Sequence, residues 1–369
     1  MGNTLLTPSI IAQESLMVLQ NNMVLSDLVY KDYSKEFANV GDTITVRKPA
    51  TFTVNEFGET IVIQDAKEKG TPVVMDKHLD VSFAITSKDL SLNIVDFSEQ
   101  FLTPALSAFA QGLDERIAGL YVDVPYCTGT AGTAPNSIGA LTGVRKVMND
   151  NKVPMAGRNL VLDTSADAKL LELDSFNRVD ASGTSLAMQE AILGRKFGFN
   201  CLMDQNIKHH SNGNIEGSAI KLSGPVSKGA TLAALTDTTL TGTLKKGSLF
   251  TVAGDSTTYV VTEDATAASN VLQVKFYPEM KADVSANTAV TLIADHAANI
   301  AFHRNAFALV SRQLSLPMGN TLSSYINYKG MGLRVTFGYD INHKKDICSI
   351  DMLCGFKTMI PELACRLLG

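Results

Sequence analysis

His209 and His210 stand side by side, which makes them the first candidates for metal chemistry. On a strand, neighbours point to opposite faces, so the two imidazoles cannot readily share one ion; they read as surface loop histidines. His78, His296, His303 and His343 lack partners at ligand spacing, and His303-Arg304 with Asp295 would form an ion pair, which is structure and not catalysis. Cys127, Cys201, Cys348, Cys354 and Cys365 are scattered, odd in number and include no CxxC pair, which reads as reduced thiols, several of them buried. In RNLVLDTSAD, Arg158 to Asp167, an Asp ends an apolar strand, as in an aspartyl-nucleophile site. That chemistry needs a second acid two residues on to protonate the leaving group, and Ser165 stands there. Asp163 or Thr164 as the cap of the next helix is the stronger reading. The small-residue loop Gly129 to Gly132 is the best phosphate-like stretch, but no Gly-Lys-Ser follows it. No Walker A loop, complete GxGxxG, GxSxG or HExxH is present. The residues therefore assign no catalytic group, no cofactor site and no metal ligand.

The elements around these residues are more informative. DFSEQFLTPALSAFAQGLDERIAGLYVD, Asp96 to Asp123, carries Leu102, Leu106, Phe109, Leu113, Ile117 and Leu120 at helical spacing, with Ser98, Gln111, Asp114 and Arg116 mostly off that stripe. A helix of about 28 residues would be roughly 42 Å long and needs a sheet or other helices along it. Either the regular helix begins at Thr103-Pro104, or it runs through and bends there. At 369 residues the chain can bury a large core and has room for two or three domains. No apolar run reaches the ~18 residues of a membrane span. The N-terminus lacks the features of a signal peptide, so synthesis in a cytoplasm is the expectation. A net charge of −5 disfavours coating nucleic acid by bulk electrostatics.

In chain order, Thr7, Pro8, Ala12, Leu16, Leu19 and Met23 predict a short N-terminal helix that must dock on something. A strand follows over Thr43 to Lys48, and β-structure continues to residue 87, with QDAKEKG, Gln64 to Gly70, as a charged turn. This reads as a protruding hairpin with charged tips, costly for a monomer and usable in an assembly. Ile138 to Met148 reads as a helix, Arg158 to Leu162 as a strand, and Leu186 to Leu193 as a further helix. Residues 222–295 turn rich in Thr, Ala, Gly and Val, with short strands at Leu249 to Val252, Tyr259 to Thr262, Val271 to Phe276 and Ala289 to Ile293. They predict a small β-barrel or sandwich, inserted into a fold that resumes at Asn299. Ala306 to Arg312, Ser324 to Tyr328, Leu333 to Tyr339 and Asp346 to Leu353 read as strands, and MIPELACRLLG as a last docked turn or strand.

Three stretches carry a family resemblance: Ile10 to Pro49, Lys245 to Gly254 (KKGSLFTVAG) and Ala301 to Pro317 (AFHRNAFALVSRQLSLP). In order and spacing they resemble the major capsid proteins of tailed bacteriophages. The group they most resemble is the coat proteins of Salmonella podophages that carry an insertion domain. The resemblance implies an α+β fold of the Hong Kong 97 type, with an inserted small β-barrel. Its parts would be an N-terminal arm at 1–45; an extended loop, spine helix (96–123) and peripheral domain at 46–136; axial segments at 137–221 and 296–330; the insertion at 222–295; and C-terminal strands at 331–369. The insertion is shorter than the family's usual one.

The implied function is self-assembly, as pentamers and hexamers, into an icosahedral head enclosing double-stranded DNA without sequence-specific binding. The implied location is the virion, assembled in the bacterial cytoplasm, with no membrane and no cofactor. Nothing helical and charged precedes Ile10, so a separate scaffolding protein is expected, with a portal protein and a decoration protein as further partners. Arg47 and Lys48 at the hairpin base, and Lys67, Glu68 and Lys69 at its tip, are the candidate inter-subunit contacts. The competing readings are an encapsulin-like compartment, which the insertion argues against, and a β-rich hydrolase or carbohydrate-binding protein.

Overall fold

Pro104 has no backbone N–H to give to a preceding turn, and the long helix changes geometry in front of it. In the computed structural model a π-helical turn, Ser98–Leu102, leads into the regular α-helix Thr103–Ala118, and a tight 3-10 turn, Gly119–Asp123, ends it. Leu102, Leu106, Phe109, Leu113 and Ile117 are all buried, as their spacing predicts. The structure describes residues 11, 14–15, 23–31, 43–47, 70–85, 98–178, 186–312, 314–316, 323–328, 331–340 and 345–369. They fall into two units: Met1–Asn22, Tyr30–Ala110 and Ala308–Met359 make the first, and Met23–Val29, Gln111–Phe307 and Ile360–Gly369 the second. Of the predicted N-terminal helix, Thr7, Pro8, Ala12, Leu16 and Leu19 lie outside the described residues.

The first unit is built on an antiparallel sheet. Ser323–Tyr328, Met331–Asp340 and Lys345–Thr358 follow one another as neighbours, and Lys77–Ile85 pairs the free side of Lys345–Thr358. Register sorts the side chains by face. Arg334 lies opposite Asp351, and Asp351 opposite Asp80, so Arg334, Asp351, Asp80, Ser349, Ser82 and His78 share a polar face. Leu333, Val335, Ile350 and Met352 alternate with them and are buried. On that apolar side Phe83 stacks on Phe101 at 6.1 Å, which fixes the start of the long helix on the sheet. A second, two-stranded ladder pairs Thr43–Arg47 with Gly70–Val74. Phe307–Arg312 and Ser323–Tyr328 belong to this five-stranded sheet, because their backbone partners lie in Lys345–Thr358 and Met331–Asp340.

The second unit holds a seven-stranded mixed sheet in the order Cys127–Gly129, Ala364–Leu368, His296–His303, Arg158–Leu162, Phe199–Met203, Gly194–Lys196, with His209–His210 also paired to His296–His303. Leu141, Val144 and Met148 of the helix Ile138–Asp150 pack on Leu160, Leu162, Ala301, Cys365 and Leu367 of the sheet. Asp163 caps the helix Thr164–Leu171: its carboxylate accepts from Ala166 N at 3.0 Å and Ser165 N at 3.2 Å, the structural role expected of it. Asp114, off the apolar stripe of the long helix, is nevertheless buried. It accepts from Val24 N and Ser26 N at 2.8 Å each and from Ser26 Oγ at 2.6 Å, and so pins the segment Met23–Val29 to the helix.

Residues 221–292 of the same unit form a barrel of six strands, ordered Val290–Leu292, Leu249–Val252, Thr258–Val261, Val271–Tyr277, Leu232–Thr236, Lys221–Leu222. Its edges meet: Leu222 N donates to Thr288 O at 3.0 Å and Val290 N to Ile220 O at 2.9 Å. Closure removes the unpaired edges that a small sheet would otherwise expose. Inside, Phe250, Tyr259 and Phe276 lie with ring centroids 5.3–5.6 Å apart among Leu235, Leu272, Val274 and Val261. Outside, Leu249 and Val260 pack against Leu368 of the seven-stranded sheet. The predicted small β-barrel is therefore present, nearly closed and packed on the strand Ala364–Leu368.

In the first unit Asp351 is buried and accepts two hydrogen bonds from Arg334, through Nε at 3.0 Å and through Nη2, and one contact from His78 Nε2 at 3.0 Å. Asp351→Ala would leave the guanidinium half-enclosed without its counter-charge. The expected loss is about 3 kcal/mol of unfolding free energy, largely recovered in an Arg334→Met/Asp351→Leu double variant. Urea unfolding measures it, and an unchanged midpoint in Asp351→Ala would show that Arg334 finds another acceptor.

Candidate functional site

The densest polar cluster among the described residues lies where the barrel meets the seven-stranded sheet. Five elements of the second unit deliver it. Tyr121 comes from the turn that ends the long helix, and His210 and His296 from the strands flanking the barrel. Ser248 and Gly247 come from the turn into Leu249–Val252, and Arg366 from Ala364–Leu368. Tyr121 Oη lies 2.9 Å from His210 Nδ1, and His210 Nε2 lies 3.2 Å from Ser248 Oγ. A neutral imidazole with its proton on Nε2 satisfies both contacts: the phenol donates to Nδ1 and Nε2–H donates to the serine. The His296 ring sits 5.4 Å from that of His210 and holds Ala294 O through Nδ1 at 2.8 Å. The Arg366 guanidinium lies 4.9 Å from the Tyr121 ring centre and donates from Nη1 to Gly247 O at 2.8 Å. Beside the cluster, Lys246 Nζ pairs with Asp123 Oδ1 at 2.9 Å. Gly247 has φ +93°, and a Cβ there would fall 2.9 Å from that of Val122, so the approach of the turn to the helix end requires glycine.

The electrostatics suit holding and not proton transfer. Burial first, then Arg366 and His296, push His210 down to about 4; burial likewise lowers His296. Burial lowers Arg366 to about 10, so it stays cationic at neutral pH. Burial raises the thiols of Cys127 and Cys365, which keeps both protonated and unreactive. The reading of His209-His210 as two surface histidines is corrected for one of them. His209 is exposed and His210 is 3% exposed, because strand alternation turns only the second ring inward.

The loop read as phosphate-like has another purpose. Cys127–Gly129 runs parallel to Ala364–Leu368, and a Cβ at Gly129 (φ +99°) would lie 2.7 Å from Leu368 O. Gly132 N donates to Gly369 O at 3.0 Å. Small residues let loop and strand approach. They leave a cavity of about 350 Å³ against the first turn of Ile138–Asp150, lined by Thr128, Thr130, Asn136, Ser137, Leu367 and neighbours and by no charged side chain. Among the described residues no three His, Cys, Asp or Glu gather as a metal site, and no helix is long and apolar enough to cross a membrane.

Of the proposed contact residues, Arg47 ends the strand Thr43–Arg47 and its backbone pairs with Gly70. Lys48, Lys67, Glu68 and Lys69 lie outside the described residues. Sequence reasoning named His210, His296 and Asp114 without assigning them this buried role, and did not find Tyr121 or Arg366. Their only sequence signal is a polar residue within or beside an apolar run, as in ACRLL and LYVD.

No family model and no curated protein matches the chain. Solved structures do. One from Mycobacterium phage Che8 shares 14% identity at a TM-score of 0.52, covering 93% of this chain and 90% of that one. The capsid structure of the cyanophage P-SCSP1u shares 12% identity at a TM-score of 0.50, covering 93% and 87%. Their likeness along nearly the whole chain establishes the fold as that of a capsid subunit. More particularly, it is the Hong Kong 97-type α+β fold, here with a small closed barrel in its second unit.

The cluster predicts an acid dependence. His210 titrates near 6.5 when unfolded and near 4 when folded. Between those values the unfolded chain holds the extra proton, so stability falls as pH drops from about 6.5 to about 4 and this contribution then levels off. A His210→Gln variant lacks that response. The stability gap between the parent and the variant, read by urea unfolding, is expected to narrow between about pH 7.5 and pH 4.5. A gap independent of pH would show that His210 does not titrate there.

Proposed function

We propose that the chain is the major capsid protein of a tailed bacteriophage, the subunit that assembles into the icosahedral head around double-stranded DNA. The observation that carries this reading is the extent of the structural likeness: 93% of the chain aligns with 87% of the cyanophage capsid chain. The fold leaves little polypeptide over for a separate activity. The physical chemistry agrees. The described residues offer a buried network that locks secondary elements together.

On this reading the first unit's sheet and the beginning of the long helix correspond to the peripheral domain. The seven-stranded sheet corresponds to the axial domain, and the barrel to an insertion of the kind carried by Salmonella podophage coat proteins. The ladder of Thr43–Arg47 and Gly70–Val74 would be the root of the extended loop that overlaps a neighbouring subunit. Arg47, Lys48, Lys67, Glu68 and Lys69 would meet that neighbour. Apolar contact would supply most of the shell's stability, at roughly 25 cal/mol per Å² before ordering costs. A separate scaffolding protein, a portal protein and a decoration protein are the proposed partners, in a virion built in the host cytoplasm.

Negative-stain microscopy of the chain, expressed with and without its neighbouring viral genes, tests the proposal. Closed shells tens of nanometres across are expected, holding nucleic acid and no protein cargo when produced during infection; particles that stay uniformly small in every preparation would overturn it. Within that frame, reversing the charges of Lys67 and Lys69 to Glu is expected to reduce the yield of closed shells several-fold. Shells of normal yield from the double variant would remove these lysines from the interface.

A further inference from the structure

The barrel joins the rest of its unit through a neck of two strands. The chain enters after His209–His210 and returns in His296–His303, and His210 and His296 are direct cross-strand partners there. Both side chains are buried, with ring centroids 5.4 Å apart. Beyond the neck, one turn fastens the barrel. Its three consecutive residues each hold a different element: Lys246 Nζ meets Asp123 Oδ1 at 2.9 Å, Gly247 O accepts from Arg366 Nη1 at 2.8 Å, and Ser248 Oγ lies 3.2 Å from His210 Nε2. The turn is part of the barrel, because Gly247 N donates to Val261 O at 2.8 Å and Val261 N to Ser248 O at 2.9 Å. It moves with the barrel, so its three attachments are made or lost together. Outside the turn, Tyr277 Oη donates to Glu362 Oε1 at 2.5 Å. The apolar part of the joint is small: Leu249 and Val260 against Leu368, with Cys127, Tyr277 and Ile293 alongside. The barrel's own core is larger and separate.

The groups around the neck oppose a further proton. Arg366 acts on both imidazoles, His296 acts on His210, and the exposed His209 acts on His296. Asp295 is the acid that favours protonation of both, but it is exposed and acts less strongly than Arg366. Asp123 is engaged by Lys246, and burial keeps Tyr121, Cys127 and Cys365 neutral. Hydrogen bonding points the same way. Nδ1 of neutral His210 accepts from Tyr121 Oη at 2.9 Å; a proton there makes both ring nitrogens donors, and the phenol hydrogen must find a new acceptor in a buried site beside the Arg366 guanidinium. Two protonated rings would also set like charges directly opposite each other across the neck. Freed from burial, His210 titrates near 6.5, against about 4 when docked. Docking is therefore fully supported above about pH 6.5 and weakens as pH falls toward 4.

We propose that the turn Lys246–Ser248 is an acid-released latch: protonation of His210 and His296 in the neck detaches the barrel from the strand Ala364–Leu368 while the barrel keeps its own core. The event is local, and distinct from unfolding of the whole chain. It rests on the joint alone and is independent of whether the chain builds a shell.

Cys127 reports on the joint. Its Sγ lies 3.7 Å from Thr258 Oγ1 of the barrel, beside Leu249 and Val260. Cys201 and Cys365 lie instead in the core beneath the helix Ile138–Asp150, and Cys348 and Cys354 are buried in the first unit. The test is labelling of the purified full chain with a pyridyl disulfide, with the sites mapped by mass spectrometry. Each rate is divided by that of the same cysteine in the urea-unfolded chain at the same pH, which removes the intrinsic pH dependence of thiol chemistry. The relative rate at Cys127 is expected to rise about twentyfold from pH 7 to pH 5, the growth in undocked population that the two titration points of His210 give. The other four thiols stay slow, and the amides of Val271–Tyr277 stay protected from hydrogen exchange. His210→Gln/His296→Gln is expected to flatten the response. Should that pair not fold, Lys246→Met, which removes the half-exposed attachment, is expected to raise labelling of Cys127 several-fold already at pH 7 and to leave its acid response intact. A Cys127 rate that ignores pH, acceleration of all five thiols together, an undiminished response in the double histidine variant, or parent-level labelling in Lys246→Met would each overturn the proposal.

Discussion

The second unit depends on one placement: the strand Ala364–Leu368 lies inside the sheet, with every residue buried. Cys127–Gly129 pairs along one side of it in parallel, and His296–His303 along the other antiparallel. Alternation then divides its side chains. Cys365 and Leu367 enter the core beneath the helix Ile138–Asp150, while Arg366 and Leu368 face the barrel. One short strand thus joins two hydrophobic cores and carries the charge at their junction. Gly129, Gly132 and Gly247 follow from the same placement, since each lets backbone approach where a side chain would collide or a turn must close.

The two units accommodate an arginine within a sheet in different ways: Arg334 is partly exposed and Arg366 fully buried. In the first, Arg334 and Asp351 face each other across neighbouring strands, so the sheet register itself brings charge and counter-charge together. In the second, Arg366 has the backbone carbonyl of Gly247 and the face of Tyr121, groups from segments far away in sequence. The first arrangement is a local consequence of pairing. The second exists only once helix end, barrel turn and strand have all arrived, which makes it a marker of complete assembly of the unit. Asp114 has a similar character, because its carboxylate is matched by the backbone of residues 24–26 and by nothing near it on the helix.

Periodicity made much of the framework readable. The stripe from Leu102 to Ile117, the alternation of Leu333 and Val335, the cap at Asp163 and the change of composition near residue 222 each rest on neighbours within a few positions. What could not be read lies at the other extreme of sequence separation. Tyr121 and His210, or Gly247 and Arg366, are about ninety or more residues apart, and nothing in either segment names its partner. His210 shows the limit well. Alternation correctly argued that His209 and His210 face opposite ways, but which way was inward depended on a barrel and a helix end that the local pattern does not contain. Phe307–Arg312 shows the same limit: it follows His296–His303 closely in the chain but pairs in a different sheet.

The closed barrel has a consequence for how the polypeptide is made. Its strands come from one unbroken stretch, residues 221–292, and its interior is filled from that stretch and from Ile215 and Ile220 just before it. During synthesis it can therefore reach its final structure while residues beyond it are still being added. The seven-stranded sheet cannot, since two of its interior strands, His296–His303 and Ala364–Leu368, emerge only afterwards. On the ribosome the barrel would be a finished body flanked by sheet-forming segments that still lack partners, and their exposed edges would be open to pairing with other nascent chains. The interval between residues 292 and 364 is thus when this chain is most in need of protection by chaperones.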